Sequence, residues 1–399
     1  MPALVNQGTE HIERIVSSAV GFHIGIIEPV GGHGGMDYYD YGLAMGLGAN
    51  EIRVTLYTCD KTQIREYPNV STKIYFEEMW SSNIFIKTAK YIWGHYRAIR
   101  DIKKNAGSIA HLHFFTFRIV DLVVLALVKL FKLKAVVTVH DVNSFHGKAN
   151  TRIEKLCFEL TDGLIVHNTS SLNALRKKDT GKSLIAEIPH GNYLPFINKV
   201  ATTLENGKPF TLLFFGQIKE VKGLDILLKA VSLLKDKNIK IRLIIAGKAW
   251  KSDLAKYEDL INSLAITDWV ETEFKYIPDG EVQSYYSKAD LVILPYREIY
   301  QSGVLLLTMS YGKPILCSDL APFKEIIVHK ESGFLFKSEN PDDLANQVEK
   351  IMSEPYILEK VIKNSELIIR DKYDWVKIGL KTKHLYQELL SANQVVTPS

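Results

Sequence analysis

Three stretches of the chain combine glycine with side chains suited to holding a phosphate ester. In Gly216-Gln217-Ile218-Lys219-Glu220-Val221-Lys222-Gly223 a turn follows the apolar run Phe210–Phe215 and leads into an amphipathic segment. Lys222 beside Gly223 stands at the start of that segment, where a flexible point charge and unpaired helix amides both attract an anion. Lys219 reads as a solvated lysine. The loop Tyr296-Arg297-Glu298-Ile299-Tyr300-Gln301-Ser302-Gly303-Val304 separates an apolar strand from a helix that the amides of Gly303, Val304 and Leu305 open. A helix N-terminus beyond the carboxyl end of a parallel strand is an anion site. Glu298, Gln301 and Ser302 add polar groups for sugar or ribose hydroxyls, although the same loop also reads as a plain polar turn with Ser302 as helix cap. The third stretch, Gly31-Gly32-His33-Gly34-Gly35, lets backbone approach a phosphate or sugar without Cβ obstruction. It fails the dinucleotide pattern, because the third glycine would fall at Asp37, and it lacks the Gly-Lys-Ser/Thr of a P-loop. A tight strand-to-helix turn explains it as well.

Strands alternating with helices must position these loops. Residues 22–27 read as a buried strand running into the first glycine loop, after a helical N-terminal extension. A helix over 38–47, strands at 53–57 and 109–113, a helix over 120–131 and strands at 135–139 and 163–167 follow. Periodicity lapses over 196–208, which reads as a linker. The pattern restarts with strands at 210–215, 242–246, 269–271, 291–294 and 314–317, and with helices over 224–234 and 341–352. The fold class is α/β, two Rossmann-like domains with mostly parallel sheets. The predicted division is 1–198 and 205–371, with a terminal helix in 372–399 crossing back to the first domain.

A chain of 399 residues suits two such domains, and a net charge of +4 makes no demand for nucleic acid while tolerating an anionic partner. Cys59, Cys157 and Cys317 have no metal-ligand spacing and read as reduced core residues of a cytoplasmic protein. The longest apolar stretch, 119–131, is too short to span a bilayer, and no secretory signal pattern is read. Between Trp80 and Lys103, Ile84, Phe85, Ile86, Tyr91, Ile92, Trp93 and Tyr96 interleave with Lys87, Lys90, Arg97, Arg100 and Lys103. Such a segment fits peripheral contact with an anionic membrane at its inner face, and fits a buried helix with a basic outer face equally well.

The order of motifs in the second half resembles the retaining glycosyltransferases of family 4, which have the GT-B fold of two facing Rossmann-like domains. The resemblance rests on Gly216…Lys222-Gly223-Leu224-Asp225, Ile244-Ile245-Ala246-Gly247, Tyr276-Ile277-Pro278, Ala289-Asp290-Leu291, Ser302-Gly303-Val304-Leu305…Gly312-Lys313-Pro314 and Ser332-Gly333-Phe334, and covers about 205–370. The first half is similar more loosely, through its glycine loop, Thr138-Val139-His140-Asp141 and Ile188-Pro189-His190-Gly191.

The resemblance implies a nucleotide-sugar donor, with Lys222 and the amides of Gly303, Val304 and Leu305 on its diphosphate and Tyr276 and Ile277 beside the base. His140 would approach the donor sugar, and Gly32, Gly34 and Gly35 would shape the floor beneath it. Two departures stand out. Gln217 occupies a place where many members carry arginine, and the usual pair of glutamates falls on Tyr300 and Thr308. Thr308 is then expected to bond a ribose hydroxyl, with Glu298 or Gln301 addressing the sugar. No aspartate pair for Mg²⁺ is read, so transfer to a glycan or lipid-linked acceptor, in polysaccharide assembly, is expected without a metal or other cofactor. A non-catalytic sugar-nucleotide or glycan-binding scaffold and a sugar-nucleotide epimerase are the competing expectations.

Overall fold

The computed structural model describes residues 22–32, 35–79, 83–142, 151–198, 208–250 and 254–391. The expected N-terminal extension, Gly34 and most of the expected linker lie outside them. The chain divides into two compact units. Unit 1 takes the described residues through Val166, then Ala174–Ile188 and those from Trp375 onward; unit 2 takes His167–Asn173 and Pro189–Asp374. Pro189–Asn198 therefore belongs with the second sheet, not the first.

Unit 1 opens with β1 (His23–Ile27), α1 (Met36–Ala49), β2 (Arg53–Cys59) and β3 (Val70–Phe76). It continues through α2 (Ile84–Lys104), β4 (Ile109–Phe114), α3 (Ile119–Leu130), β5 (Lys134–Val139), α4 (Thr151–Glu159), β6 (Gly163–Val166), the bridging α5 (Thr169–Arg176) and β7 (Leu184–Glu187). Every strand of its sheet is parallel, in the order β3-β2-β1-β4-β5-β6-β7. Continuous apolar runs such as Gly163–Val166 are buried on both faces, as central parallel strands must be. β3 and β7 were not expected: Val-Ser-Thr-Lys-Ile-Tyr-Phe and Leu-Ile-Ala-Glu are half-exposed edge strands without the apolar density that marks the centre.

Unit 2 repeats the plan with β8 (Phe210–Phe215), α6 (Leu224–Asp236), β9 (Ile241–Ala246), α7 (Ala255–Ser263), β10 (Val270–Glu273), α8 (Asp279–Lys288) and β11 (Leu291–Leu294). Then come α9 (Gly303–Ser310), β12 (Ile315–Ser318), α10 (Ala321–Lys324), β13 (Phe334–Phe336), α11 (Pro341–Ser353) and α12 (Pro355–Asp371). Its parallel sheet runs β10-β9-β8-β11-β12-β13. Leu224, Leu227, Leu228, Val231 and Leu234 recur at helical spacing on α6 and bury that face in the core, where Leu344, Val348 and Ile351 of α11 meet it.

The last described helix, α13 (Trp375–Ser391), returns to unit 1 and packs along α1. Their contact is backbone to backbone. A Cβ on Gly46 would stand 2.0 Å from the Trp375 carbonyl oxygen, and one on Gly379 would stand 2.2 Å from the Gly46 carbonyl. Only glycine lets the two helices approach so closely.

Candidate functional site

In an open parallel sheet a ligand lies beyond the carboxyl ends of the strands, where the strand order reverses. In unit 2 that point falls between β8 and β11. Beyond β8 the chain passes Gly216 and the short turn Glu220–Lys222 into α6, and beyond β11 it passes residues 295–302 into α9. One arginine locks the two loops together. The Arg297 amide donates to the Val221 carbonyl at 2.8 Å, and its guanidinium donates to the Glu220 carbonyl at 3.0 Å. The same guanidinium grips both oxygens of Asp225, at 2.8 and 2.7 Å. Burial resists ionisation of Asp225, but the guanidinium outweighs it and holds the carboxyl below its ordinary range.

The Lys222 ammonium lies 3.7 Å from the centre of the Tyr296 ring, a cation–π contact. Tyr296 is buried, and so is Ser302 at the far end of the same loop. Ser302 in turn caps α9, its hydroxyl accepting from the Leu305 amide at 3.2 Å. The cap corrects the expectation of three phosphate-facing amides, since the Leu305 amide serves Ser302 and Gly303 and Val304 are left to open the helix. The floor beside them is backbone. Gly223 has φ +64°, and a Cβ there would stand 1.9 Å from the Pro295 carbonyl oxygen. Gly247 meets the Gly216 carbonyl oxygen at 1.8 Å in the same way.

Tyr193 was missed in the sequence. Its hydroxyl lies 2.7 Å from where a Cβ on Gly303 would stand, its amide donates to the Ser310 hydroxyl at 3.0 Å, and its ring stacks on His190. The signal was available, since Tyr193 follows the Ile188-Pro189-His190-Gly191 motif directly after Asn192. Burial, reinforced by His167, pushes the His190 imidazole down to about 3, against a bond to the Gly191 carbonyl. His190 is therefore neutral.

The other expected residues are placed differently. Gln217 and Glu298 are exposed, and Gln301 is half-buried. Tyr276, before α8, is half exposed while Ile277 is buried, so of that pair Tyr276 is the one that presents a ring to a ligand. Thr308 does not face outward. It is fully buried, its hydroxyl donates to the Val304 carbonyl at 2.7 Å, and the Tyr286 phenol lies 3.3 Å away, so the expected ribose contact is withdrawn.

The matching point of unit 1 lies between β1 and β4. Gly32 has φ +80° and donates its amide to Asp37 at 2.9 Å, while Gly35 precedes α1. His140, just past β5, is half-buried and stacks on Phe115 with ring centres 4.7 Å apart. Its Nε2 lies 3.2 Å from Nδ1 of His113, and Tyr39 sets its ring edge-on to both imidazoles. Glu28 and Asp40 are buried in the same region, burial and the neighbouring acids raising Glu28 to about 7 and Asp40 well above its ordinary value.

Two strand orders of this kind each place a ligand crevice beyond the carboxyl ends of the strands. The family described as Glycosyl transferases group 1 matches residues 197–367. A sucrose-phosphate synthase of Thermosynechococcus elongatus superposes with a TM-score of 0.74 over 93% of this chain and 100% of its own, at 20% identity. The chain has the GT-B fold. Among GT-B proteins, HepE of Anabaena in complex with UDP-glucose is also similar, with a TM-score of 0.71 at 14% identity over 92% of this chain and 99% of that one. An uncharacterized glycosyltransferase of Methanocaldococcus jannaschii is 27% identical over 179 residues, which span 44% of this GT-B chain and 44% of that relative. The match thus covers less than half of that relative's length.

Proposed function

We propose that the protein is a retaining glycosyltransferase that moves a sugar from a UDP- or GDP-sugar to a glycan or lipid-linked acceptor in polysaccharide assembly. The observation that carries this reading is the Cβ-free floor of Gly216, Gly223 and Gly247, with Lys222 and the amides of Gly303 and Val304 at the strand reversal of unit 2. That arrangement suits a diphosphate. The likeness to HepE with UDP-glucose supports a nucleotide-sugar as its owner. The acceptor oxygen bonds to the anomeric carbon as the bond from that carbon to the phosphate breaks, and the departing phosphate takes the acceptor proton on the same face. Charge growing on the phosphate is met by Lys222 and the two amides, fixed in place before the reaction and in no need of a metal at the diphosphate. His140 and Glu298 are assigned to the sugar, and Tyr276 to the base.

A lipid-linked acceptor and peripheral membrane contact draw support from unit 1. Ile84, Phe85, Ile86 and Trp93 of α2 and Ile119, Val123 and Leu130 of α3 are exposed, and basic residues of α2 stand among them. No helix among the described residues is long and apolar enough to cross a membrane. A cytoplasmic setting, on the inner face of the membrane, accords with three free, buried cysteines. The scaffold reading retains one observation, the burial of Thr308 where the resemblance expects a donor contact.

Calorimetric titration of the protein in chelator against UDP, GDP, ADP and dTDP tests the proposal. Binding of one uridine or guanosine diphosphate is expected, followed by sugar transfer or slow hydrolysis of the matching donor. Binding of none removes the donor reading. Binding without any turnover selects the scaffold.

A further inference from the structure

The strand reversal of unit 1 carries side chains that the transfer chemistry leaves unused. Glu28 directly follows β1, Asp40 lies in the second turn of α1, and His113 stands near the end of β4. All three are buried, and one donor atom from each lies within 4.8 Å of the others. Nε2 of His113 is 3.6 Å from Oδ1 of Asp40. Among the described residues, neither carboxylate oxygen of Asp40 has a hydrogen-bond partner. A buried carboxylate in that state is costly, and it is relieved either by a proton or by a positive occupant. Among the described residues no lysine or arginine pairs with Glu28 or Asp40, and His113 is the one basic side chain whose ion pair reaches Asp40. Asp37 adds to the negative field, and it already accepts from the Gly32 amide and the Thr62 hydroxyl, at 2.9 and 3.1 Å. Glu28 keeps one oxygen on the Val30 amide at 2.7 Å, which fixes its carboxylate while leaving the second oxygen to a ligand.

We infer that Glu28, Asp40 and His113 form a binding site for one divalent transition-metal cation in unit 1. Two carboxylates and one imidazole are the hard-to-intermediate donor set that Zn²⁺ and Mn²⁺ accept. Donors at roughly 2.1 Å from a common tetrahedral ion stand about 3.4 Å apart, so the side chains need to close by up to about 1.4 Å to coordinate it. The bond from His113 Nδ1 to His140 supplies the outer partner that orients a metal-binding imidazole. Because the ligands come from β1, α1 and β4, the cation ties the helix after the glycine loop to the centre of the sheet. Its one link to the residues assigned to the sugar is the bond between His113 and His140.

The test uses the full chain, stripped with chelator and then titrated with ZnCl₂ and separately MnCl₂. Calorimetry and elemental analysis after dialysis should give one equivalent per chain, with a rise in the melting temperature of the metal-loaded protein. Asp40→Asn and His113→Gln should each weaken uptake by about 100-fold or more and abolish the melting shift. His113→Gln is the milder change and serves where Asp40→Asn does not fold. Uptake below a tenth of an equivalent by the folded parent protein overturns the site and assigns neutralisation to protons shared by the two carboxyls. Full uptake by both variants overturns it too, by placing the metal elsewhere.

Discussion

The two sheets share one strand order around their reversals, β3-β2-β1-β4 in the first and β10-β9-β8-β11 in the second, yet the reversals carry opposite chemistry. Unit 2 presents glycine backbone, helix amides and an ammonium. Unit 1 presents two buried carboxylates and a stack of imidazoles. The comparison teaches that topology fixes where a ligand goes, while the residues after the strands fix its sign of charge. On the two proposals above, one fold offers an anion site and a cation site at equivalent places.

The largest break in that comparison comes from filling the floor of unit 2. Gly223→Ala forces a Cβ against the Pro295 carbonyl from a left-handed backbone, so unit 2 should lose roughly 3 kcal/mol in urea unfolding. An unchanged midpoint would mean that the loop has room to move. Lys222→Ala should lower stability far less, by about 0.5–1 kcal/mol for the lost contact with Tyr296, and cost about 1.5–3 kcal/mol of nucleoside diphosphate affinity by calorimetry. Equal affinities in parent and variant would leave the helix amides as the anion site.

A pH series sharpens the electrostatic half of the contrast. His190 in unit 2 has its folded pKa depressed to about 3 from 6.5. Its stabilising contribution is complete above about pH 6.5 and is lost as pH falls toward 3, at up to about 1.4 kcal/mol per pH unit. His190→Gln should flatten the fall in urea midpoint across that window; a slope identical to that of the parent would exonerate His190. The smallest effect belongs to Thr308→Val, for which nucleotide affinity should stay within about twofold because the hydroxyl is spent on the Val304 carbonyl. A larger loss would restore Thr308 to the ligand.

Much of the scaffold was legible because buried parallel strands leave continuous apolar runs. Phe210–Phe215 and Leu291–Leu294 fall where the runs predict them. Edge strands β3 and β7 were not, since a strand covered on one side mixes Ser, Thr, Lys and Glu into its pattern. The local backbone was legible where glycine marks a turn, as at Gly216 and Gly223, both with positive φ. The candidate site was illegible where function depends on burial or on distant residues meeting. Thr308 lies in the right motif and faces inward, and Glu28, Asp40 and His113 meet only after a sheet has formed. Tyr193 and Arg297 escaped because stacking and ion pairing across loops leave no periodic trace.

The glycine-to-glycine seam between α1 and α13 also bears on the order in which the units are completed. Gly42 and Gly46 of α1 lie against Trp375, more than 300 positions later in the chain, and no other helix among the described residues contacts α1 as extensively. A ribosome that has made all of β1 to β7 has not yet supplied the residues that cover this face. The sheet begun first is therefore the one sealed last, and unit 2, whose residues end at Asp374, is fully synthesised before unit 1 can close. Until α13 emerges, the nascent chain carries a bare strip of helix backbone that a chaperone is well placed to shelter.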